Sequence, residues 1–372
     1  MSLLNRPLVR HLAAALACLA TGTITLLVST RREGFGAFTA DYARWPFLDM
    51  WIRWDARWYA DIANNGYFFN LPEQSSVAFF PLYPMLLRAI SRASGIGPLP
   101  IGVIVTFLFG CAASLLLVQW VRAVRPGADA LFTHALLLCW PFAFYLFGAV
   151  YADALFLTLI VGAFLLLERG QPGWAAVLGA LSTATRPIAP AVVLGLLARS
   201  LELDRQKHGR FRVQALVPAF AATGFAAYLA FQYAAFGTPF AFVETQGAWS
   251  QRPGPRQWLK LEFFGGERLG QLWPEALLNA ALAVMMLALA ARVWRTIGKG
   301  YAVYVAVALG LPLLSSAEFI GLGRYSLAAF PSLLALSELL APRPKLRWAF
   351  LGVSALLLLT MTARFAVGRY VS

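Results

Sequence analysis

Trp54-Asp55-Ala56-Arg57-Trp58-Tyr59-Ala60-Asp61-Ile62-Ala63-Asn64-Asn65-Gly66-Tyr67 is followed by Ala78-Phe79-Phe80-Pro81-Leu82-Tyr83-Pro84-Met85-Leu86-Leu87-Arg88. Neither stretch has the length and apolarity of a membrane span. Asp55, Trp58, Tyr59, Ile62 and Ala63 recur at the spacing of one helix face. Arg57 and Asp61 fall four apart on another face, where they can pair in water. Asp55 therefore heads an aromatic face, while Asp61 has a ready partner. Apolar rings beside a carboxylate disfavour its charged form, which suits a proton acceptor. The same residues also suit a helix lying on lipid, with Trp and Tyr as headgroup anchors.

The rest of the chain decides the solvent. Its 372 residues are 60% hydrophobic and only 13% charged, and the mean hydropathy is +0.66. That composition belongs to a polytopic membrane protein rather than a soluble domain. The net charge of +14 does not point to nucleic acid, because most Lys and Arg punctuate apolar runs as membrane flanks do. Apolar segments cover 12–30, 100–121, 129–147, 150–167, 213–234, 273–291, 300–316, 325–340 and 347–364. The stretch 173–199 reads as two short helices meeting at Arg186-Pro187, since one span with a central Arg is costly. Cys18, Cys111 and Cys139 lie in apolar runs without metal-ligand spacing and are expected to be unpaired packing residues. The run behind Arg6 and Arg10 is expected to be a retained first span.

Basic residues cluster at Arg199, Arg205, Lys207, Arg210 and Arg212, at Arg122 and Arg125, at Arg292, Arg295 and Lys299, and at Arg343, Lys345 and Arg347. All are cytoplasmic together with Arg6 and Arg10 only if 78–94 does not cross the membrane. The expectation is eleven spans in a single membrane domain over 1–372, with the N-terminus inside. The long loops at about 31–99 and 235–272 then lie outside. On that topology every polar cluster that looks chemical falls on the outer face.

W-D-A-x-W-Y-x-x-I-A-x-x-G-Y and A-F-F-P-L-Y-P-x-L-x-R, as they stand at 54–67 and 78–88, resemble the PIG-V-like mannosyltransferases. These are bacterial relatives of the enzyme that adds the second mannose to glycosylphosphatidylinositol anchors. The eukaryotic branch has His where this chain has Trp58, and an acid where it has Gln74. Any role of those two eukaryotic side chains therefore does not transfer. The resemblance implies a GT-C glycosyltransferase fold, all-α and polytopic.

It also implies roles for other residues. Tyr151-Ala152-Asp153-Ala154-Leu155-Phe156 is similar to a Tyr-x-acid-x-Leu-Phe stretch of relatives. This makes Asp153 a second carboxylate or sugar-hydroxyl acceptor, against its reading as a first-turn acid favoured by the helix dipole. Arg324-Tyr325 resembles the family's late arginine–tyrosine motif. Arg324 and Arg186 are the candidates for the donor phosphate, because guanidinium matches phosphate oxygens in a planar fork; the ordinary alternative is snorkelling to headgroups. Glu318 is a candidate to orient one of them. Phe242 to Arg252, with Gln246 and Trp249, resembles F-x-x-x-Q-x-x-W-x-R and suits substrate contact or an interfacial helix equally. Trp54, Trp58, Tyr59, Tyr151 and Tyr325 complete the expected substrate-binding set.

The expected reaction is an inverting transfer of mannose from polyprenyl-phosphate-mannose to a hydroxyl of a glycan or lipid acceptor, with Asp55 as base. The enzyme is expected in the bacterial inner membrane, in contact with its lipids. No Walker loop, dinucleotide glycine pattern, H-E-x-x-H or Cys/His cluster occurs, so no nucleotide, zinc or other cofactor is expected. A transporter or flippase would place its ionisable residues at mid-membrane instead, and an inactive assembly subunit would have no use for a desolvated acid.

Overall fold

The computed structural model describes residues 6–29, 42, 44–249, 251, 254–261, 264, 269–319 and 321–371. Among these residues all regular structure is helical. Among the described residues five helical stretches are long and apolar enough to cross a membrane: Pro7–Val28, Pro98–Val124, Val213–Phe236, Pro274–Thr296 and Pro344–Ala366. Leu12, Leu16, Ile24 and Leu27 are exposed on the first, as lipid-facing side chains must be. The other expected spans are shorter pieces, apart from the 20-residue Ala189–His208, whose second half is charged; Lys299–Ser315 and Phe330–Leu340 are apolar helices below spanning length. The count of eleven crossings therefore rests on those pieces as well as on the five.

Prolines account for where the pieces end. The run 129–147 is not one helix. It is helix Ala130–Leu138 followed by the tight turn Ala143–Leu146, with Trp140-Pro141 between them. Proline lacks the N–H of the ladder and pushes the preceding residue out of the α region. This stretch and the one after it are apolar for a different reason than lipid contact: every residue from Trp140 to Leu157 is buried. Likewise 325–340 divides at Ala329, before Phe330-Pro331, into Leu322–Ala328 and Phe330–Leu340. Helices Pro172–Thr183 and Ala189–His208 flank Arg186-Pro187, the break expected there. Helix Leu82–Ser94 has 13 residues, too few for a bilayer core that needs about 20.

The chain forms two compact units. The first comprises Met1–Asn65, Tyr83–Leu165 and Leu333–Val371; the second comprises Gly66–Leu82 and Leu166–Ser332, with Ser372. In the first, helix Pro7–Val28 packs on Pro98–Val124 and Pro344–Ala366. Arg347 reaches the Asp129 carboxylate at 2.5 Å and Arg125 reaches Glu338 at 2.9 Å, so two expected membrane-flanking arginines also staple helix ends together.

In the second unit, helices Ala189–His208 and Lys299–Ser315 pack along each other extensively. Gly300 permits this, since a Cβ there would lie 2.3 Å from the Arg199 backbone nitrogen. Arg199 is itself a correction to the sequence reading. It is buried between Glu168 at 2.6 Å and Glu202 at 2.7 Å, with Tyr301 also donating to Glu168 at 2.7 Å. Arg212 is held by Asp204 at 2.8 Å. The exposed positive flank here is Arg205, Lys207, Arg210 and the Asp204-paired Arg212, and Arg199 alone serves packing. The three cysteines are free; Cys18 is buried and the other two are half-buried.

Topology can be read from exposed positions of the second unit. Lys207→Cys and Arg256→Cys should label from opposite sides of the membrane, position 207 from the cytoplasm. Labelling of both from one side overturns the eleven-span scheme.

Candidate functional site

The first unit holds the aspartate loop. Helix Ala56–Asn65 buries Ala56, Tyr59, Ile62 and Ala63 and leaves Arg57 in the open. Arg57 and Asp61 pair at 3.5 Å with both side chains well exposed. Asp55 precedes the helix, half-buried, and Trp58 is half-buried beside it. The Asp55 backbone N–H donates to the Tyr151 phenol oxygen at 3.2 Å. That bond joins the aspartate loop to Tyr151-Ala152-Asp153.

The rings around this bond form one cluster. Tyr59 meets Tyr83 edge-on at 4.9 Å and Tyr151 at 6.3 Å. Tyr83 shares a hydrogen bond of 2.9 Å with Thr106, whose hydroxyl also donates to the Tyr151 carbonyl at 3.4 Å. Asp153 opens helix Asp153–Glu168 and is 3% exposed. Burial pushes the Tyr83 phenol well above its ordinary range, and the charges of Tyr59 and Asp153 add to the rise. Tyr83 thus stays neutral, its hydroxyl turned to Thr106 and the Gly102 carbonyl.

Below the loop lies a pair that sequence reading missed. Arg53 and Asp49 are 2% exposed and bonded at 2.8 Å. Arg53 Nη1 donates to the Asp49 and Ile52 carbonyls, each at 2.6 Å, and Nε donates to the Ala366 carbonyl at 2.9 Å. Removing one partner of such a pair typically costs about 3–5 kcal/mol, because a charge is left uncompensated. The i,i+4 spacing of Asp49 and Arg53 was the available signal. Trp54, next in sequence, is left-handed at φ +52.

The second unit holds the arginines. Arg186, 5% exposed, lies between its two helices with its guanidinium 4.3 Å from the centre of the Tyr325 ring. Two motifs far apart in sequence thereby meet. Arg324 and Tyr325 are both half-buried on the short helix Leu322–Ala328. That helix is pinned from outside: Asn279 Oδ1 accepts the Gly323 N–H at 2.6 Å, and Asn279 Nδ2 donates to the Glu275 carbonyl at 2.8 Å. An Asn fully buried in an apolar run was the signal for this anchor. The Glu318 charge acts on Lys260, whose ammonium is pulled down to about 8 by burial, against the opposing effect of Glu318.

Gln246 and Trp249 lie in the turn Thr245–Trp249. The Gln246 amide donates to the Phe242 carbonyl at 3.0 Å, and Trp249 packs on Phe79 at 6.3 Å. Ser75 N–H donates to Thr245 at 3.2 Å, and Phe80 meets Phe242 at 5.6 Å. The stretches 75–80 and 242–249 of this unit therefore pack on each other; Arg252 falls outside the described residues. Among the described residues no three His, Cys, Asp or Glu side chains group to hold a metal ion.

The family described as Mannosyltransferase (PIG-V) matches residues 4–253, about two-thirds of the chain. Arg324 and Tyr325 lie beyond the match. No curated protein matches. Among solved structures, the Archaeoglobus fulgidus oligosaccharyltransferase in complex with zinc and sulfate is 16% identical, with a TM-score of 0.51, over 97% of this chain and 53% of that one. The apo form of the same enzyme gives 14% and 0.49, over 97% and 56%. The chain thus spans about half the length of these structures. At such identity the first likeness speaks to the fold, which is of the GT-C type.

Asn279→Leu removes the acceptor of a buried N–H and should destabilise the protein by about 1–3 kcal/mol. Thermal unfolding in detergent measures this. Asn279→Asp keeps the acceptor and should lose less.

Proposed function

Because the chain belongs to the mannosyltransferase (PIG-V) family, a family of glycosyltransferases, we propose that it moves mannose from a polyprenyl-phosphate-mannose donor to a hydroxyl of a lipid-linked glycan or other acceptor. The reaction takes place on the outer face of the plasma membrane. There a lipid carrier supplies activated sugar where nucleotide sugars are scarce.

The observation that carries the reading is the hydrogen bond between Asp55 N–H and Tyr151. It brings the two acid-bearing motifs of the family resemblance to one place. With Asp61 engaged by Arg57 in solvent, Asp55 is the loop carboxylate suited to chemistry. It accepts the proton of the acceptor hydroxyl as that oxygen attacks the sugar's anomeric carbon. The bond from that carbon to the phosphate oxygen breaks in line, with inversion, and polyprenyl phosphate departs. Arg324 and Arg186 balance the charge that develops on it. Two guanidinium groups can balance a monophosphate leaving group, so the step as written does not require a metal. Asp153 and Tyr151 bind sugar hydroxyls, with Trp58 and Tyr59 as the aromatic wall and Gln246, Trp249 and Tyr325 as further substrate contacts.

Labelled polyprenyl-phosphate-mannose, incubated with the purified protein and candidate acceptors, tests the reaction itself. Failure to transfer label to any acceptor while an unrelated lipid-phosphate sugar is consumed would overturn the choice of mannose. Arg324→Lys keeps the charge but loses the planar fork, so donor use should weaken in a folded protein. Unchanged donor kinetics would remove Arg324 from the site.

Asp55 and Asp61 give the sharper contrast. The exposed Arg57–Asp61 pair is worth about 0.3–0.5 kcal/mol, so Asp61→Asn should fold and turn over almost normally. Asp55→Asn should still bind donor yet lose about 10²–10⁴-fold in rate. If Asp61→Asn is the dead enzyme, or Asp55→Asn turns over normally, the base is wrongly assigned and Asp153 becomes the next candidate.

A further inference from the structure

The last helix of the first unit ends in a way its sequence dictates. Pro344–Ala366 is followed by Val367 as C-cap and then by Gly368 at φ +80. The Arg369 N–H donates to the Arg364 carbonyl and the Gly368 N–H to the Phe365 carbonyl, both at 2.9 Å. This pair of bonds is the Schellman motif, and it needs a left-handed residue where Gly368 stands.

The turn brings the next residues back onto the aspartate loop. The Arg369 carbonyl accepts Trp54 Nε1–H at 3.3 Å, and the Tyr370 ring meets the Trp54 indole edge-on at 4.8 Å. Val371 is 1% exposed. One turn earlier, the Ala366 carbonyl takes Arg53 Nε. Two consecutive residues, Arg53 and Trp54, are thus both held by the stretch 366–370.

Trp54 needs holding. A φ of +52 is a conformation that bulky L side chains rarely adopt. It persists only where surrounding structure imposes it. The residue that follows is Asp55, and its direction is set by the Trp54 backbone.

We propose that Gly368–Val371 is a positioning strap for Asp55, holding Trp54 left-handed so that the Asp55 carboxylate is aimed. The inference rests on the reading of Asp55 as proton acceptor. Arg53, Trp54, Gly368 and Tyr370 are positioning residues, and the indole of Trp54 serves the strap rather than the sugar. The strap lies outside residues 4–253, so the family match does not contain it.

Four variants test it, with Asp55→Asn as reference and labelled polyprenyl-phosphate-mannose as donor. Gly368→Val breaks the left-handed turn, whereas Gly368→Asn tolerates it. Tyr370→Ala removes the ring, whereas Tyr370→Phe keeps it. Gly368→Val and Tyr370→Ala should lower kcat about 10–100-fold, the scale of a small misplacement of a reacting group, with donor KM within about twofold. The Asn and Phe variants should restore kcat. Amide hydrogen exchange should quicken at residues 52–58 in the two damaging variants and stay unchanged in the other helices.

Normal kcat with unchanged exchange at 52–58 overturns the proposal. So does equal loss in all four variants with exchange quickened throughout, which marks general destabilisation. If Asp55→Asn is itself active while exchange at 52–58 still responds, the catalytic reading has failed and the strap aims nothing. If Asp55→Asn is dead and the four variants are normal, the strap alone has failed.

Discussion

A guanidinium withdrawn from water has to be answered by fixed acceptors, and Arg53 shows how much structure that demands. Its partners are the Asp49 carboxylate and the carbonyls of Asp49, Ile52 and Ala366. The first three come from the same short segment, and the fourth comes from the end of a helix more than three hundred residues later. None can move without stranding a buried charge. The backbone leading into Trp54 and Asp55 is therefore fixed before any substrate arrives. Preorganisation of this kind is what a general base needs, since proton transfer requires hydrogen-bond reach as well as a suitable pKa.

The second unit fixes its arginine by other means. Arg186 is placed by chain geometry, in the gap that Pro187 makes between two helices, and is covered by the face of Tyr325. A cation over an aromatic face is stabilised most where water is scarce, and a planar guanidinium can stack there while its edge keeps its donors. Tyr325 in turn depends on a short helix that would have little stability alone. Asn279, from a neighbouring apolar helix, holds the start of that helix. Support thus runs from Asn279 through the short helix to the Tyr325 ring that meets Arg186.

What the sequence disclosed follows the range of each interaction. The helical face of Tyr59, Ile62 and Ala63, the Arg57–Asp61 pair and the break at Pro187 all depend on neighbours within a turn or two, and periodicity and proline chemistry reveal them. The split of 129–147 at Trp140-Pro141 carried the same local signal, but the strong apolar run masked it. That run is apolar because it is interior, a distinction hydropathy cannot make. Arg199 looked like a membrane-flanking charge because nothing local shows that Glu168 and Tyr301 come to it. Gly368 announces a helix end, yet where the returning chain lands is decided by tertiary packing. The roles proposed for Asp55, Arg186 and Arg324 come from residue type and resemblance; the structure adds their surroundings.

The stretch Ala78-Phe79-Phe80-Pro81-Leu82-Tyr83-Pro84 shows why a motif continuous in sequence need not be one device. Phe79 and Phe80 pack in the second unit, against Trp249, Phe225, Tyr228 and Phe242. The carbonyls of Val77 and Phe79 accept the Tyr228 hydroxyl there. Tyr83 belongs to the first unit, where its ring meets Tyr59 and its hydroxyl meets Thr106. Pro81 and Pro84 fix the backbone at the changeover and in the first turn of the helix that begins at Leu82, where a missing N–H costs nothing. Each aromatic thus has a packing reason of its own, and the spacing between them is set by the turn that joins two separate sets of contacts. A substitution at Phe80 and one at Tyr83 therefore act on different parts of the protein, although only three positions separate them.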